Sequence, residues 1–160
     1  MSRSNSVAGA AALGCLLSLG CGHAAEVWTK APPDYRKLGV RLLVCKDIPE
    51  ELICLGLGCA GRQSELISIR SGSGAFSGAV RIDAPPKSFQ ASFSNNDDDL
   101  ATLAGASASR AAISPQIAQS ILDAPRIKIH DAREAGFSET YSTRGLKRHL
   151  QAGDLLCQKP

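Results

Sequence analysis

The chain has 160 residues and a formal net charge of +3, and aromatic residues make up only 4% of it. A nucleic-acid protein would need a concentrated basic face with aromatic side chains interleaved among the cations, so this class is not expected. The length suits one ordinary domain.

The first residues have the features of a secretory signal. Arg3 is the only charged side chain before Glu26, and an uncharged, mostly apolar run covers residues 7–19. This run is too short for a hydrocarbon core, which needs about 20 apolar residues, so no transmembrane span is predicted. Small residues at the −3 and −1 positions predict cleavage after Ala24. We therefore expect a signal peptide over 1–24 and a mature protein that is periplasmic or secreted.

A lipid anchor is the alternative for the same segment. Residues 17–21 end in Cys21 and resemble a bacterial lipobox, although Ser18 stands where a lipobox usually has leucine. Lipidation of Cys21 would tether the domain to a membrane surface and make it a lipoprotein. Both alternatives place the domain outside the cytoplasm.

The mature chain would keep 136 of the residues, a formal charge of +2 and four cysteines. An even number of cysteines in an oxidising compartment pairs by default, so two disulfides are predicted among Cys45, Cys54, Cys59 and Cys157. No two of these cysteines have CxxC spacing, and the whole chain has three histidines. We therefore predict neither a metal site nor another cofactor.

The spacing of the cysteines favours one of the three ways to pair them. Cys45 and Cys54 flank a turn at Pro49 and would face each other across a hairpin. Cys54 and Cys59 lie five residues apart in an extended segment, which spans about 16 Å, whereas bridged Cα atoms lie within about 7 Å. The two glycines in that segment leave a turn open as the alternative. We predict Cys45–Cys54, which leaves Cys59–Cys157.

The mature chain begins with an arm and continues as one β-rich domain. Residues 25–39 contain Trp28, Tyr35 and the pair Pro32–Pro33, so we expect an extended arm whose aromatic side chains lie against the domain over 40–160. Short apolar or alternating runs predict strands over 40–45, 52–59, 66–70, 76–83, 89–93, 126–130 and 137–143.

The segments between these strands predict turns, loops and short helices. The glycine-rich residues 71–74 are typical of a hairpin loop. The acidic residues 95–99 lack the spacing of a calcium loop and are expected to be a solvated loop that caps a helix. Residues 100–112 are rich in alanine and serine and have no clear period. The remaining predictions are a turn over 47–51 and two helices. The first helix covers 115–123 after the capping residue Ser114, and the second covers 145–151.

Six or seven short strands with two short helices predict a mainly β domain stapled by disulfides. Its architecture is either an antiparallel sandwich or a rolled sheet.

Five features in a fixed order resemble a known class of exported proteins. They are Trp28 near the mature start, Cys45 on a strand, CLGLGC over 54–59, YSTRGL over 141–146, and Cys157 after the last helix. This order is similar to that of small exported proteins of proteobacteria, namely the invasion-associated-locus-B-like group and accessory proteins of some secretion systems. The resemblance implies a non-enzymatic envelope domain and transfers no catalytic residue.

No group of residues predicts catalysis. His130 and Asp131 are neighbours on a predicted strand and therefore point to opposite faces, so they do not orient each other. The chain has no Gly-x-Ser-x-Gly elbow, and cysteines in this compartment are expected to be oxidised. We predict that the protein is not an enzyme, with a small hydrolase as the enzymatic alternative.

One concentration of basic residues is a candidate binding face. Its members are Arg126, Lys128, Arg144, Lys147 and Arg148, with His130, Arg133 and His149 nearby. Such a face would attract an anionic envelope component or an acidic protein. The alternative is ordinary solvated surface, with Asp131, Glu134 and Glu139 cancelling part of its charge.

The expected function is therefore an exported, non-catalytic binding or accessory module of the envelope or of the secreted proteins. The alternative from another class is an enzyme inhibitor that presents the turn at 47–51 or the acidic loop at 95–99.

Overall fold

Two antiparallel β-sheets build the domain in the computed structural model, which describes residues 26–72, 74–94, 97–132, 138–150 and Cys157. The described strands are β1 (Thr29–Lys30), β2 (Val40–Cys45), β3 (Ile53–Ala60), β4 (Gln63–Arg70), β5 (Gly78–Ala84), β6 (Lys87–Phe93), β7 (Ser107–Ile113), β8 (Arg126–Asp131) and β9 (Ser138–Ser142). The described helices are α1 (Pro33–Lys37), α2 (Asp98–Ala104), α3 (Pro115–Asp123) and α4 (Leu146–His149). The first sheet has the order β1-β2-β3-β4-β7, and the second has the order β6-β5-β8-β9.

The predicted fold class is confirmed, but these ranges hold nine strands and four helices, more than were predicted. The residues without a clear period supply both α2 and β7. Asp97 caps α2 by accepting a hydrogen bond from the Leu100 N–H (3.0 Å), and Gly105 ends it with a φ of 61°. The prediction that the acidic loop caps a helix is therefore confirmed at Asp97.

The main hydrophobic core lies between the two sheets. Strand alternation turns one side of β5 and β8 inward, so that Val80, Ile82, Ile127 and Ile129 are fully buried. Helix α3 closes part of this core, and it has the predicted bounds and the predicted cap, Ser114. Its buried residues are Ile117, Ala118, Ile121 and Leu122.

A second, smaller core covers the other side of the first sheet, and Leu100 of α2 packs in it with Val40, Ile67 and Ile69. Because both faces of the sheet are covered, β3 is buried continuously from Ile53 to Gly58. This explains why its sequence is apolar without alternation.

The N-terminal arm joins the first sheet to the end of the second. Trp28 is fully buried, its indole N–H donates to the Ser142 carbonyl (2.8 Å), and its backbone N–H donates to the Arg144 carbonyl (2.9 Å). The prediction that the aromatic residue of the arm packs on the domain is therefore confirmed at Trp28. The expectation of extended structure throughout the arm fails at α1, because Pro33 occupies a first-turn position that needs no backbone donor.

The hairpin predicted at residues 71–74 is wrong. This segment carries the chain from β4 to β5, which belong to different sheets. Gly72 and Gly74 do adopt positive φ angles of 72° and 85°, so glycine is needed for the path of the crossover rather than for a hairpin. Short turns that follow β3 and β5 make the tight hairpins instead.

Both predicted disulfides are present. Cys45 and Cys54 are directly opposite each other in the β2–β3 register, and their Cα atoms are 4.0 Å apart. Cys59 pairs with Cys157 across a sequence separation of 98 residues. The first bridge closes the turn after β2, and the second ties the end of β3 to the C-terminal segment.

Candidate functional site

The outer face of the second sheet is polar because alternation turns its apolar residues inward. On β8, Arg126 and Lys128 are exposed, whereas Ile127 and Ile129, which alternate with them, are buried. The neighbouring strand β9 places Thr140 opposite Lys128 and Ser142 opposite Arg126. Cationic side chains therefore lie beside a row of hydroxyl groups on one continuous surface.

The structure brings the predicted basic residues to one end of this sheet. The Thr143 side chain donates to the Ala124 carbonyl, and its backbone N–H donates to the Pro125 carbonyl (3.4 Å). These bonds hold the segment after β9 against the segment before β8. Lys147 Nζ lies 3.3 Å from Asp123 Oδ1, which places α4 at the same end. We call Arg126, Lys128, Arg144, Lys147 and Arg148 the basic end.

Most cations of the basic end have no ionic partner among the described residues. Lys147 pairs with Asp123, and both side chains are more than half exposed. In the part of the chain that the structure describes, the other four cations form no ion pair, and all four are exposed. An exposed and unpaired cation keeps its full charge for an incoming anion.

Two of the three acids that were expected to cancel this charge, Asp131 and Glu139, point away from it. Asp131 is only 8% exposed and belongs to the inner side of β8. Glu139 lies on the inner side of β9, where it pairs with Lys46 and Arg70. Glu134 and Arg133 lie outside the described residues. The described outer faces of β8 and β9 therefore carry cations and hydroxyl groups.

Lys87 is an additional cation that the sequence analysis missed. The pKa of Asp123 is lowered, mainly by hydrogen bonds from Gln119 and Lys147 and further by the positive charges of Lys147 and Lys87. Lys87 lies opposite Ala84, beside the Asp83–Lys128 pair, which places it at the same end of the sheet. The usable signal was the Pro85–Pro86 turn, because a tight hairpin there places Lys87 next to the end of β5.

Asp83 organises a second polar group on the same face. Its carboxylate accepts hydrogen bonds from Ser88 Oγ (2.7 Å) and His130 Nε2 (2.7 Å), and it pairs with Arg81 (3.1 Å). His130 and Asp131 point to opposite faces, as predicted, and the partner of His130 is across the strands. Because the carboxylate lies between the serine and the histidine, His130 is not placed to activate Ser88 as a nucleophile.

The carboxyl group of Asp83 should titrate below the ordinary aspartate value. The Ser88 hydroxyl is the main cause of its lowered pKa, and His130 and Arg81 add to the effect against the opposing effect of burial. The Ser88→Ala variant should move this pKa back up, as measured by the pH dependence of the carboxyl ¹³C shift. Ser92→Ala, on the same strand, is the control and should leave it unchanged. Equal shifts in both variants would contradict the assignment.

The lowered pKa of Asp83 also makes the free energy of unfolding depend on pH. Because the folded pKa of Asp83 is below its unfolded value, its contribution to the free energy of unfolding is present above the unfolded pKa and is lost as the pH falls through the folded pKa.

A buried ionic cluster lies on the other side of the second sheet. Glu139 accepts from Lys46 Nζ and, at 3.3 Å, from Arg70 Nη2. The Lys46 ammonium lies 5.3 Å from the centre of the Tyr141 ring. Burial, followed by the charge of Glu139, raises the pKa of the Tyr141 hydroxyl. This cluster was not predicted, because its members come from β4, β9 and the segment after β2, which are distant in sequence.

The two loops proposed for an inhibitor differ in which side chains are exposed. Asp97 of the acidic loop is bound to Arg110, which also pairs with Glu65 at 3.0 Å. Residues 95–96 lie outside the described residues. The turn at 47–51 is exposed, and Ile48 at 40% exposure is one of the few exposed large apolar side chains. Asp98 and Asp99 of the acidic loop are exposed in the first turn of α2, so both loops present free side chains among the described residues.

Cys21 and the whole predicted signal segment lie outside the described residues. Within the described ranges, no three histidine, cysteine, aspartate or glutamate side chains are grouped as metal ligands would be. None of the described helices is long and apolar enough to cross a membrane.

The fold and site define a disulfide-stapled, two-sheet β domain with an exposed basic end. Comparison of the chain with protein-family models, with curated proteins and with solved structures gave no match.

Proposed function

We propose that the protein is an exported, non-catalytic binding module of the cell envelope or of the secreted proteins, and that it binds an anionic partner through the basic end. One observation carries this proposal: Asp131 and Glu139 are turned inward, and four cations of the basic end have no ionic partner among the described residues. The resemblance to the invasion-associated-locus-B-like group supports the same assignment.

The hydroxyl row of β9 adds directional contacts to this charge. Thr140 and Ser142 lie opposite Lys128 and Arg126, and a hydroxyl group can donate to a carboxylate or phosphate oxygen. Exposed cations mainly speed association and make it dependent on salt. Binding should therefore weaken steeply as the salt concentration rises.

A matched pair of variants tests this function. The first replaces Arg126, Lys128, Arg144 and Arg148 by glutamine. The control replaces four exposed cations elsewhere, Arg36, Lys37, Arg41 and Arg62, and so removes the same charge. At low salt the first variant should bind immobilised polyglutamate about tenfold or more weakly than the control does. Equal losses in the two variants would reduce the effect to net charge and contradict a specific site.

Export has its own test. A C-terminally tagged chain should lose about 2.3–2.6 kDa, the mass of a typical signal peptide, and should leave the cytoplasm. Labelling with a fatty acid separates the two alternatives, because only lipidation at Cys21 predicts a label that disappears in Cys21→Ser. Full-length protein that stays in the cytosol would contradict export.

A further inference from the structure

One edge of the second sheet has open backbone hydrogen-bonding groups. The Ala132 N–H donates to the Ala79 carbonyl, so Ala79 directs its backbone groups towards β8. Since the direction alternates along a strand, Val80, Ile82 and Ala84 direct theirs towards β6.

The same alternation continues on β6. The register pairs Ala91 with Val80 and Phe89 with Ile82, so these β6 residues use their backbone groups within the sheet. Ser88, Gln90 and Ser92 must direct their N–H and C=O groups away from β5.

The next residue of the series confirms this direction, because Ser94 exchanges two backbone hydrogen bonds with Arg110 of β7 (2.8 and 3.2 Å). β7 stays a neighbour of the part of β6 next to Ser94, but Ser94–Arg110 is an isolated bridge and no ladder continues it along the described residues of β6. Ser88, Gln90 and Ser92 are exposed, and the described part of the chain supplies no backbone partner on their outer side.

β6 has little of the usual protection of an edge strand: Lys87, which alternates with Phe89 and Ala91, is the one charge on its inner side and stands at its first residue. Natural edges are blocked by proline, by a bulge or by a charge that points inward. The register of β6 with β5 is continuous, and the strand has no proline. Phe89 and Ala91 belong to the inner side but remain only partly buried. An added strand would cover these two side chains and pair with the open groups.

The charge at one end of β6 indicates what kind of strand fits. β6 begins at Lys87, which pairs with Ala84 at the end of β5, and the preceding residue Asp83 pairs with Lys128 of the basic end. All neighbouring strands in both sheets are antiparallel. An added antiparallel strand would therefore have its C-terminal end beside Lys87, where acidic residues would meet cations.

We propose that β6 accepts an extended segment of a protein partner as an added antiparallel strand. The segment has apolar residues opposite Phe89 and Ala91, and acidic residues after its C-terminal end bind Lys87 and the basic end. Addition of a strand is a common way to recognise an extended peptide. This inference rests on the proposed function, because it identifies the anionic partner as an acidic protein segment.

A synthetic peptide tests the inference directly. The probe is fluorescein-labelled Thr-Val-Thr-Val-Thr-Asp-Asp-Glu, which in antiparallel register places its valines opposite Ala91 and Phe89. Binding to the full chain is measured by anisotropy at low salt. A control peptide of equal composition carries the three acids at its N-terminal end and should bind more weakly.

Two substitutions at one position separate strand addition from other contacts. The Gln90 N–H is on the open side, so Gln90→Pro removes it without breaking a bond to β5. We expect Gln90→Pro to weaken binding about tenfold or more, since it loses hydrogen bonds and introduces a steric block. Gln90→Ala keeps the N–H and should bind within about threefold of the unchanged protein. Equal melting temperatures show that both variants fold.

The remaining outcomes distinguish failure of this inference from failure of the proposed function. Equal binding by Gln90→Pro and Gln90→Ala would overturn strand addition. Binding to phosphatidylglycerol vesicles but not to the peptide would overturn the protein partner and leave an anionic partner in place. A dimer of the protein alone that Gln90→Pro abolishes would assign this edge to a second copy. Gln90-dependent peptide binding that the four-residue variant of the basic end does not weaken would overturn the proposed function.

Discussion

Replacing Cys59 and Cys157 together by serine should cost about 4–5 kcal/mol of the free energy of unfolding in the chain-entropy model. The bridge closes a loop with a sequence separation of 98 residues, and its removal frees nearly the whole unfolded domain. The Cys45–Cys54 bridge has a sequence separation of only 9. Its removal by the same double substitution should cost less, about 2.5–3 kcal/mol.

Thermal unfolding compares the two variants directly. The variant without Cys59–Cys157 should melt about 15 °C lower than the unchanged protein, and the variant without Cys45–Cys54 about 8 °C lower. Each double substitution removes a complete bridge, so no free thiol is left to exchange. A larger loss from the short bridge would contradict the loop-length explanation.

The Glu139→Gln variant should be the other strongly destabilised protein, by about 3–5 kcal/mol. The Arg70 side chain is only 5% exposed and that of Lys46 is 19% exposed, and both bind this carboxylate. Glutamine keeps the size and one acceptor oxygen but removes the negative charge, so two buried cations face each other without it.

An exposed pair provides the control. Asp34 and Lys37 form an ion pair at 2.8 Å with side chains 65% and 76% exposed, and Asp34→Asn should leave the free energy of unfolding nearly unchanged. Chemical denaturation at constant salt measures both losses. If Glu139→Gln were as mild as Asp34→Asn, the inner cluster would not contribute to stability as described.

The elements that could be predicted from sequence alone are those whose pattern of apolar residues follows from packing one face against the core. β2 and α3 have the predicted bounds, because one face of each meets the core and the helix has a clear capping residue at Ser114. The cysteine pairing could be predicted from distance, because Cys54 and Cys59 lie on one extended strand and are too far apart to form a disulfide with each other.

The elements that were missed depend on tertiary contacts. β7 is made of alanine and serine with low strand preference, and it forms because β4 offers it a complete hydrogen-bonding edge. The glycines of residues 71–74 indicate positive φ angles, but they do not indicate whether the chain turns back or crosses to another sheet.

The candidate site was predictable only where one element carries it. Alternation placed Arg126 and Lys128 on one face of β8. The inward orientation of Glu139 and the position of Lys87 depend on neighbouring strands and on the other sheet. These neighbours cannot be predicted from a local sequence pattern.

The most direct test of the binding function is a map of the surface that an acidic ligand perturbs. In ¹H–¹⁵N spectra of residues 25–160 titrated with polyglutamate at low salt, the largest shift changes should fall on the basic end, around Arg126, Lys128 and α4. They should disappear as salt is added, because the contacts are exposed ion pairs. Changes that are absent at low salt, or that centre on the distant cations Arg36 and Arg62, would contradict the assignment of the basic end as the binding site.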